Sequence, residues 1–295
     1  MGEHAVLHGY KAIVAAVSCR VHVEINCRND HMLNIHSALG DLKAPMQNIV
    51  VEKPFTFVLS AIKYYEAGLK CGLDVIIKSE FSHQVGLGSS SAVTVAMVAA
   101  LRKILKLDMD LSHIFHDAYE IVRSVQGVGS GADVAASVFG GVGCYRTSPF
   151  YYKKLNKTPR VFLYYSGSKM STPDVIAFVK QKFSSKPQAL EGIYKAINKC
   201  VISAELAIEN ADWRELGRIF NKQQKLMDDL GLTNEALQSL VELLSRQSKV
   251  KGVKISGSGL GDCVIALGTL KDESLMKSDR YIPIEITKEG VNISE

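Results

Sequence analysis

The stretch Val85-Gly-Leu-Gly-Ser-Ser-Ser-Ala92 joins a short β-branched run, Leu73 to Lys78, to a long apolar one that runs from Ser89 to Lys106. So many small residues together continue neither a strand nor a helix, and the chain must turn there. The serines suit the first turn of a helix, and Ala96, Ala99 and Ala100 suit close packing along it. Strand, turn and helix in that order leave backbone N–H groups at the positive end of a helix dipole, with no bulky side chain in the way. Such a turn can cradle a phosphate. Plain turn chemistry explains the same residues equally well.

Elsewhere short strand-like runs alternate with helical ones. Ala12 to Cys27 is rich in Val and Ile and reads as one or two strands. Pro54 and Gly68 frame a helix over Phe55 to Ala67. Asp110 or Ser112 opens a helix that ends near Val125, and a second glycine cluster, Gln126-Gly-Val-Gly-Ser-Gly-Ala-Asp133, leads into an apolar run to Gly141. Between Pro149 and Pro159 the residues turn to Tyr, Lys and Pro, which reads as the link between two domains, 1–155 and 156–295. Beyond it, Val161 to Ser166 reads as a strand and Pro173 to Phe183 as a helix begun by Ser171-Thr172. Leu190 to Gln247 reads as helices, with a break at Gly231 and a cap at Thr233. A third loop, Gly257-Ser-Gly-Leu-Gly261, sits between strand-like Lys251 to Ser256 and Asp262 to Leu267, and Tyr281 to Ile286 reads as a last strand.

Composition narrows the classes of function. Hydrophobic residues at 47% and charged ones at 22% describe a globular chain with ample core. The apolar run from Val93 ends at Arg102-Lys103, well short of the roughly 20 residues a membrane helix needs. The first residues, Met1-Gly-Glu-His-Ala-Val, lack the pattern of a signal peptide. The net charge of +5 is spread along the chain, which argues against nucleic acid as the main partner and fits an enzyme with anionic substrates. Six cysteines without a Cys-x-x-Cys pair read as reduced thiols of a cytoplasmic protein. His113 and His116 share a helix face, yet no Cys or carboxylate set completes a zinc site around them.

Three small-residue loops and an acid together describe phosphoryl transfer. That reaction needs donors and a cation around the transferred phosphate, an acceptor hydroxyl in line with it, and a carboxylate near that hydroxyl. Gly86, Gly88, Ser89 and Ser90 supply candidate backbone donors, and a serine hydroxyl is a candidate ligand for Mg²⁺. Asp133, between a glycine loop and an apolar helix, reads equally as a helix cap and as a catalytic carboxylate. Neither a Walker-type Gly-Lys-Ser/Thr loop nor the Asp-Phe-Gly and His-Arg-Asp signatures of protein kinases occur.

Gly2-Glu-His-Ala-Val-Leu-His-Gly9, Gly86-Leu-Gly-Ser-Ser-Ser-Ala92 and Lys254-Ile-Ser-Gly-Ser-Gly-Leu-Gly-Asp-Cys263 resemble, in order and spacing, the three motifs of the GHMP small-molecule kinases. The resemblance spans almost the whole chain. It implies an α+β fold of two lobes: an N-terminal ribosomal-protein-type α/β domain with the first two motifs, and a C-terminal ferredoxin-like domain with the third. It implies ATP and Mg²⁺, with phosphates over Gly86, Leu87, Gly88, Ser89, Ser90 and Ser91 and the metal on Ser90. Asp133 matches the family's acceptor-side aspartate, and Gly257, Ser258 and Gly259 would close over phosphates or substrate. The implied partners are ATP and a small-molecule acceptor for a monomer or homodimer, with neither nucleic acid nor membrane.

Within the family, Glu3-His4-Ala5-Val6 followed by Gly9-Tyr-Lys-Ala-Ile resembles the mevalonate kinases, whose matching Glu and His help bind mevalonate. The segments around Val85, Gln126 to Asp133 and Gly261-Asp-Cys263 are more similar to phosphomevalonate kinases, so the acceptor differs by one phosphate between the two readings. A sugar or polyol acceptor and a non-catalytic sensor on the same scaffold are further alternatives. The family also implies a lysine on a strand ahead of the first motif. This sequence starts inside that motif, so either the chain is cut short or Lys11 or another base takes the place. Ungapped matching puts Val122 where mevalonate kinases carry a Mg²⁺-binding glutamate, which leaves Glu120 as the metal ligand if its helix turn is shifted. The third loop reads Gly-Ser-Gly-Leu-Gly where the family more usually has a glycine-alanine-glycine-rich form, and Leu260 is expected simply to pack.

Overall fold

The structure is a computed structural model, and it describes residues 1–80 and 88–294. In chain order the first half contains β1 (Ala12–Ala15), β2 (Val21–Arg28), β3 (Met32–Ser37), β4 (Gly40–Pro45), α1 (Thr56–Tyr64), β5 (Gly72–Ser79), α2 (Ser89–Ile104), α3 (Leu111–Gln126) and α4 (Ala132–Phe139). The second contains β6 (Val142–Arg146), β7 (Tyr151–Leu155), β8 (Val161–Tyr165), α5 (Thr172–Lys182), α6 (Pro187–Glu209), α7 (Trp213–Leu230), α8 (Glu235–Ser245), β9 (Val250–Ser256), β10 (Cys263–Gly268), α9 (Glu273–Met276) and β11 (Tyr281–Ile282).

The chain divides into two compact units that interleave in sequence: one holds Met1–Ser18 and Gly141–Lys288, the other residues 19–80, 88–140 and 289–294. The sequence places a cut near residue 155, whereas strand pairing draws the chain differently. β1 runs antiparallel to β6, with Ala12 opposite Tyr145 and Ala15 opposite Val142, so the first residues belong with the segment after 140.

In the unit built from residues 19–140, β2-β5-β3-β4 form one sheet. β3 and β5 are parallel, Leu33 opposite Leu73 and Ile35 opposite Val75, and such a pair needs a crossover, here containing α1. Leu33, Ile35, Leu73 and Val75 are fully buried. α2 lies along β2, and α1, α3 and α4 pack around α2. Removing these apolar faces from water is the main stabilising contribution here. The sheet matters to function through β5, the last strand before the glycine–serine turn, and through α2, which opens just beyond it.

The other unit carries two sheets, β1-β6-β7 and β11-β8-β10-β9. Phe162, Tyr164, Val253, Ile255, Val264 and Ala266 from the larger sheet share a core with Val175, Val179, Met227, Leu237 and Leu244 from the helices. A second cluster joins Val142, Cys144 and Leu155 to Cys200, Ala204, Leu216 and Phe220. α7 crosses β9 at a pair of glycines: a Cβ on Gly217 would sit 2.3 Å from the Lys251 carbonyl, and one on Gly252 would sit 2.3 Å from the Gly217 carbonyl. Any side chain there forces the helix off the strand.

Two local expectations are corrected. The Tyr- and Lys-rich segment read as a link contains β7, paired residue by residue with β6 from Arg146–Tyr151 to Val142–Leu155. Tyr has high strand propensity, and Leu155 gives the strand a buried anchor. The cap of α8 is Asn234, whose side chain accepts the Leu237 N–H at 3.0 Å, while the Thr233 hydroxyl bonds Asp228 and accepts from Gln224. Of Asp110 and Ser112, the two expected openings of α3, Asp110 is the cap, accepting the Ser112 N–H at 2.7 Å.

Candidate active site

Gly88 of the second motif and Asp133 lie side by side. α2 starts at Ser89 with Gly88 as its N-cap, and Gly88 takes the left-handed conformation (φ 73°) that brings the chain into the helix axis. α4 starts at Ala132 behind another left-handed glycine, Gly131 (φ 74°), so the cap position is filled and Asp133 is the second helical residue. A Cβ on Gly88 would meet the Asp133 Cβ at 3.2 Å and its Oδ2 at 3.4 Å. The carboxylate is therefore held against the start of α2, where first-turn amides have no partner within the helix and the dipole is positive.

Around this pair the serines divide. Ser91 is buried, at 5% exposure, while Ser89 and Ser90 are partly exposed. The Thr94 hydroxyl donates to the Ser90 carbonyl at 2.7 Å, tying the first turn to the second. Gly86 and Leu87, expected to bind phosphate, lie outside the described residues. Glu120 is not brought to this cluster. It is exposed and lies near Tyr64 of α1, whose phenol pKa is raised first by burial, then by Asp117, and least by the Glu120 charge. Val122, two residues on and so about 200° around the helix, is the one turned inward. α3 runs unbroken from Leu111 to Gln126, with Glu120 on its exposed side.

In the other unit, the first and third motifs fold together. His4 has φ 61°, a conformation that costs a non-glycine residue strain, and precedes a short 3₁₀ turn over Ala5–His8. Its Nε2 lies 2.8 Å from the Ser258 carbonyl oxygen. A carbonyl only accepts, so Nε2 carries the proton and Nδ1 is the acceptor. Burial lowers the imidazole pKa below its ordinary value, with the Ser258 carbonyl acting in the opposite direction. A neutral His4 with Nδ1 as acceptor suits a hydroxyl and not a carboxylate.

Glu3 is buried beside it and committed on both oxygens. Oε1 accepts from Lys254 Nζ at 2.5 Å and Oε2 from Gln223 Nε2. Burial pushes the Glu3 carboxyl up, but the Lys254 ammonium and the amino group of Met1 more than reverse this and hold it at about 2. Lys254 opens the third motif, and the sequence motif assigns it no role. Its signal was a lysine between Val253 and Ile255 in a strand whose neighbours are core, since lysine is almost never buried unpaired.

The third loop takes positive φ at Gly257, Gly259, Leu260, Gly261 and Asp262. Gly259 lies against Leu232, whose carbonyl accepts the Leu260 N–H at 2.7 Å, and Leu260 packs on the core as expected. Ser258 Oγ and Asp262 Oδ1 are buried and have no hydrogen-bond partner among the described residues. Burial raises the Asp262 pKa, and Lys169, 3.7 Å away, pulls it back. Lys11, weighed as a substitute for the family lysine, is paired with Glu205 at 3.0 Å and lies over the Tyr151 ring.

Family models match two stretches of the chain. The model described as "GHMP kinases N terminal domain" matches residues 56–141, and that described as "GHMP kinases C terminal" matches 204–278. The chain is 32% identical over 295 residues to the mevalonate kinase of Archaeoglobus fulgidus, covering 100% of this chain and 96% of that one. It is 29% identical over 320 residues to the mevalonate kinase of Pyrococcus abyssi, covering 100% and 94%. Its fold is similar to the crystal structure of the Methanococcus jannaschii mevalonate kinase, with a TM-score of 0.81 at 24% identity over 97% of this chain and 94% of that one.

Proposed function

The chain belongs to the GHMP kinase family, and from that premise we propose that it phosphorylates the primary hydroxyl of mevalonate with ATP, giving 5-phosphomevalonate and ADP. The observation that carries the reading is the contact of Gly88 with Asp133: a glycine turn at a helix start, and a carboxylate against it, are the two groups a phosphoryl transfer needs closest together. Full-length similarity to proteins named mevalonate kinase supplies the acceptor.

The ATP phosphates lie on Gly88, Ser89, Ser90 and Ser91 at the start of α2, together with Gly86 and Leu87 of the same sequence motif. The acceptor oxygen attacks the γ-phosphorus, the bond to the β,γ-bridging oxygen breaks, ADP leaves, and the hydroxyl proton passes to Asp133. Catalysis is mostly positioning and charge stabilisation. The donors at the start of α2 are oxygens, which fits a hard cation that keeps phosphate and water in its shell, so Ser90 would hold Mg²⁺. When bound, that ion neutralises charge on the β- and γ-phosphates. In the other unit, His4 accepts from an acceptor hydroxyl through Nδ1, and Gly257, Ser258 and Gly259 line the acceptor, with the unpartnered Ser258 Oγ as a donor.

Full-length similarity to proteins named mevalonate kinase favours mevalonate over phosphomevalonate; beside the third loop, Lys254 is neutralised by Glu3 and Lys169 lies 3.7 Å from Asp262. The cysteines are all free, and no described helix is long and apolar enough to cross a membrane; a cytoplasmic setting completes the proposal. The test is an ADP-release assay on the purified protein with ATP, Mg²⁺ and each acceptor in turn, with the product identified by ³¹P NMR. Turnover of mevalonate supports the reading. Turnover of phosphomevalonate alone overturns it.

A further inference from the structure

We infer that Glu3 is a positioning residue, which acts on the acceptor site by clamping the His4 turn to the third loop through Lys254 and Gln223 and does not itself touch the acceptor. The inference rests on the acceptor site proposed above.

Both carboxylate oxygens of Glu3 are engaged. One carboxylate oxygen takes the Lys254 ammonium and the other the Gln223 amide, and Lys254 also donates to the Ile255 carbonyl. The lysine side chain is 1% exposed, Gln223 0% and the glutamate side chain 14%. An apolar cavity of about 80 Å³, walled by Ile13, Val161, Phe220 and Ile265, borders the pair and keeps the local dielectric low. Freeing the carboxylate for a ligand would strand a buried ammonium, which costs more than an exposed ion pair ever returns. Glu3 therefore stays with Lys254 while substrate comes and goes.

What the pair holds is specific. Glu3 immediately precedes His4, whose strained backbone must be kept at φ 61° for Nε2 to meet the Ser258 carbonyl. Lys254 lies on β9, the strand that delivers the chain to Gly257 and Ser258. α7 joins both: Gln223 bonds Glu3, and the next residue, Gln224, accepts the Ile255 N–H at 2.7 Å. N-terminal turn, strand and helix are thus locked at one buried point two residues from the loop they orient. A dislodged His4 would turn Nδ1 away and release the loop together.

The test is a double-mutant cycle on the intact protein, with Glu3→Gln, Lys254→Met and both together, reading KM for the acceptor, kcat, KM for ATP and melting temperature. Each single change is expected to raise the acceptor KM roughly tenfold, with kcat and the ATP KM within about threefold. The double variant should be no worse than the worse single one, because Glu3 has nothing left to act through. If Glu3→Gln costs the same factor with Lys254 already replaced, Glu3 touches the acceptor and the inference falls. If melting drops while the acceptor KM stays unchanged, the pair is structural only and the inference falls as well.

A second readout needs no acceptor. The His4 imidazole resonances, identified by difference with His4→Asn, should move toward ordinary solvent-exposed values in Glu3→Gln and in the milder Glu3→Asp, which keeps the charge should the first variant not fold. An unmoved His4 overturns the clamp. A wild-type protein inert toward mevalonate instead refutes the acceptor assignment and leaves this imidazole arm to decide the clamp.

Discussion

A side chain on Gly88 would begin 3.2 Å from the Cβ of Asp133 and 3.3 Å from its carboxyl carbon. The position also has φ 73°, which costs an L residue about 1–2 kcal/mol. Gly88→Ala is therefore expected to lower stability by that amount and to displace the carboxylate, with kcat/KM falling about 100-fold. Thermal melting and steady-state kinetics on the same preparation separate the two effects; wild-type kinetics in the variant would show that the contact is idle.

Asp133→Asn keeps the shape and removes the charge. Turnover should fall by about 10²- to 10⁴-fold, while nucleotide affinity, measured by fluorescent-analogue titration, changes by less than about threefold. A large loss of nucleotide affinity would place Asp133 in ATP binding instead.

Ser90→Ala should raise the Mg²⁺ concentration for half-maximal rate by about tenfold or more. Glu120→Ala should leave it within about twofold, because Glu120 faces Tyr64 on the opposite side of α3 from Val122. A reversed ranking in a Mg²⁺ titration would restore Glu120 as the ligand.

The depressed Glu3 carboxyl makes a signed pH prediction. Its folded pKa of about 2 lies below the ordinary 4.5, so its contribution is fully present above 4.5 and is lost as pH falls toward 2. Melting temperature of the wild type should drop across that window more steeply than that of Glu3→Gln/Lys254→Met, in which other carboxylates still titrate but this pair does not. Parallel curves would mean that the pair contributes no pH-dependent stability.

Local signals were legible where local chemistry fixes them. The glycine–serine turn foretold α2 and its start at Ser89, and Asp110 foretold the cap of α3. β7 was missed because its Tyr and Lys residues look like a solvated link until β6 is laid beside them. The hairpin of β3 and β4 went unread because its register is set by pairing across the sheet. The role of Lys254 escaped for the same reason: its partner, Glu3, lies far away in sequence, and only folding brings the charges together. The misplaced cap at Thr233 was a choice between adjacent polar residues, Thr233 and Asn234, that backbone geometry alone decides.

The pairing of β1 with β6 sets an order of assembly. Ala12 leaves the ribosome roughly 130 residues ahead of Tyr145, its strand partner, so that closing this loop is slow and entropically costly. Almost all of the segment between them, including Gly88 and Asp133, belongs to the other unit and can fold as it emerges. The nascent chain thus completes the unit of α2 and α4 while Glu3 and His4, already synthesised, still wait for the sheet that will receive them.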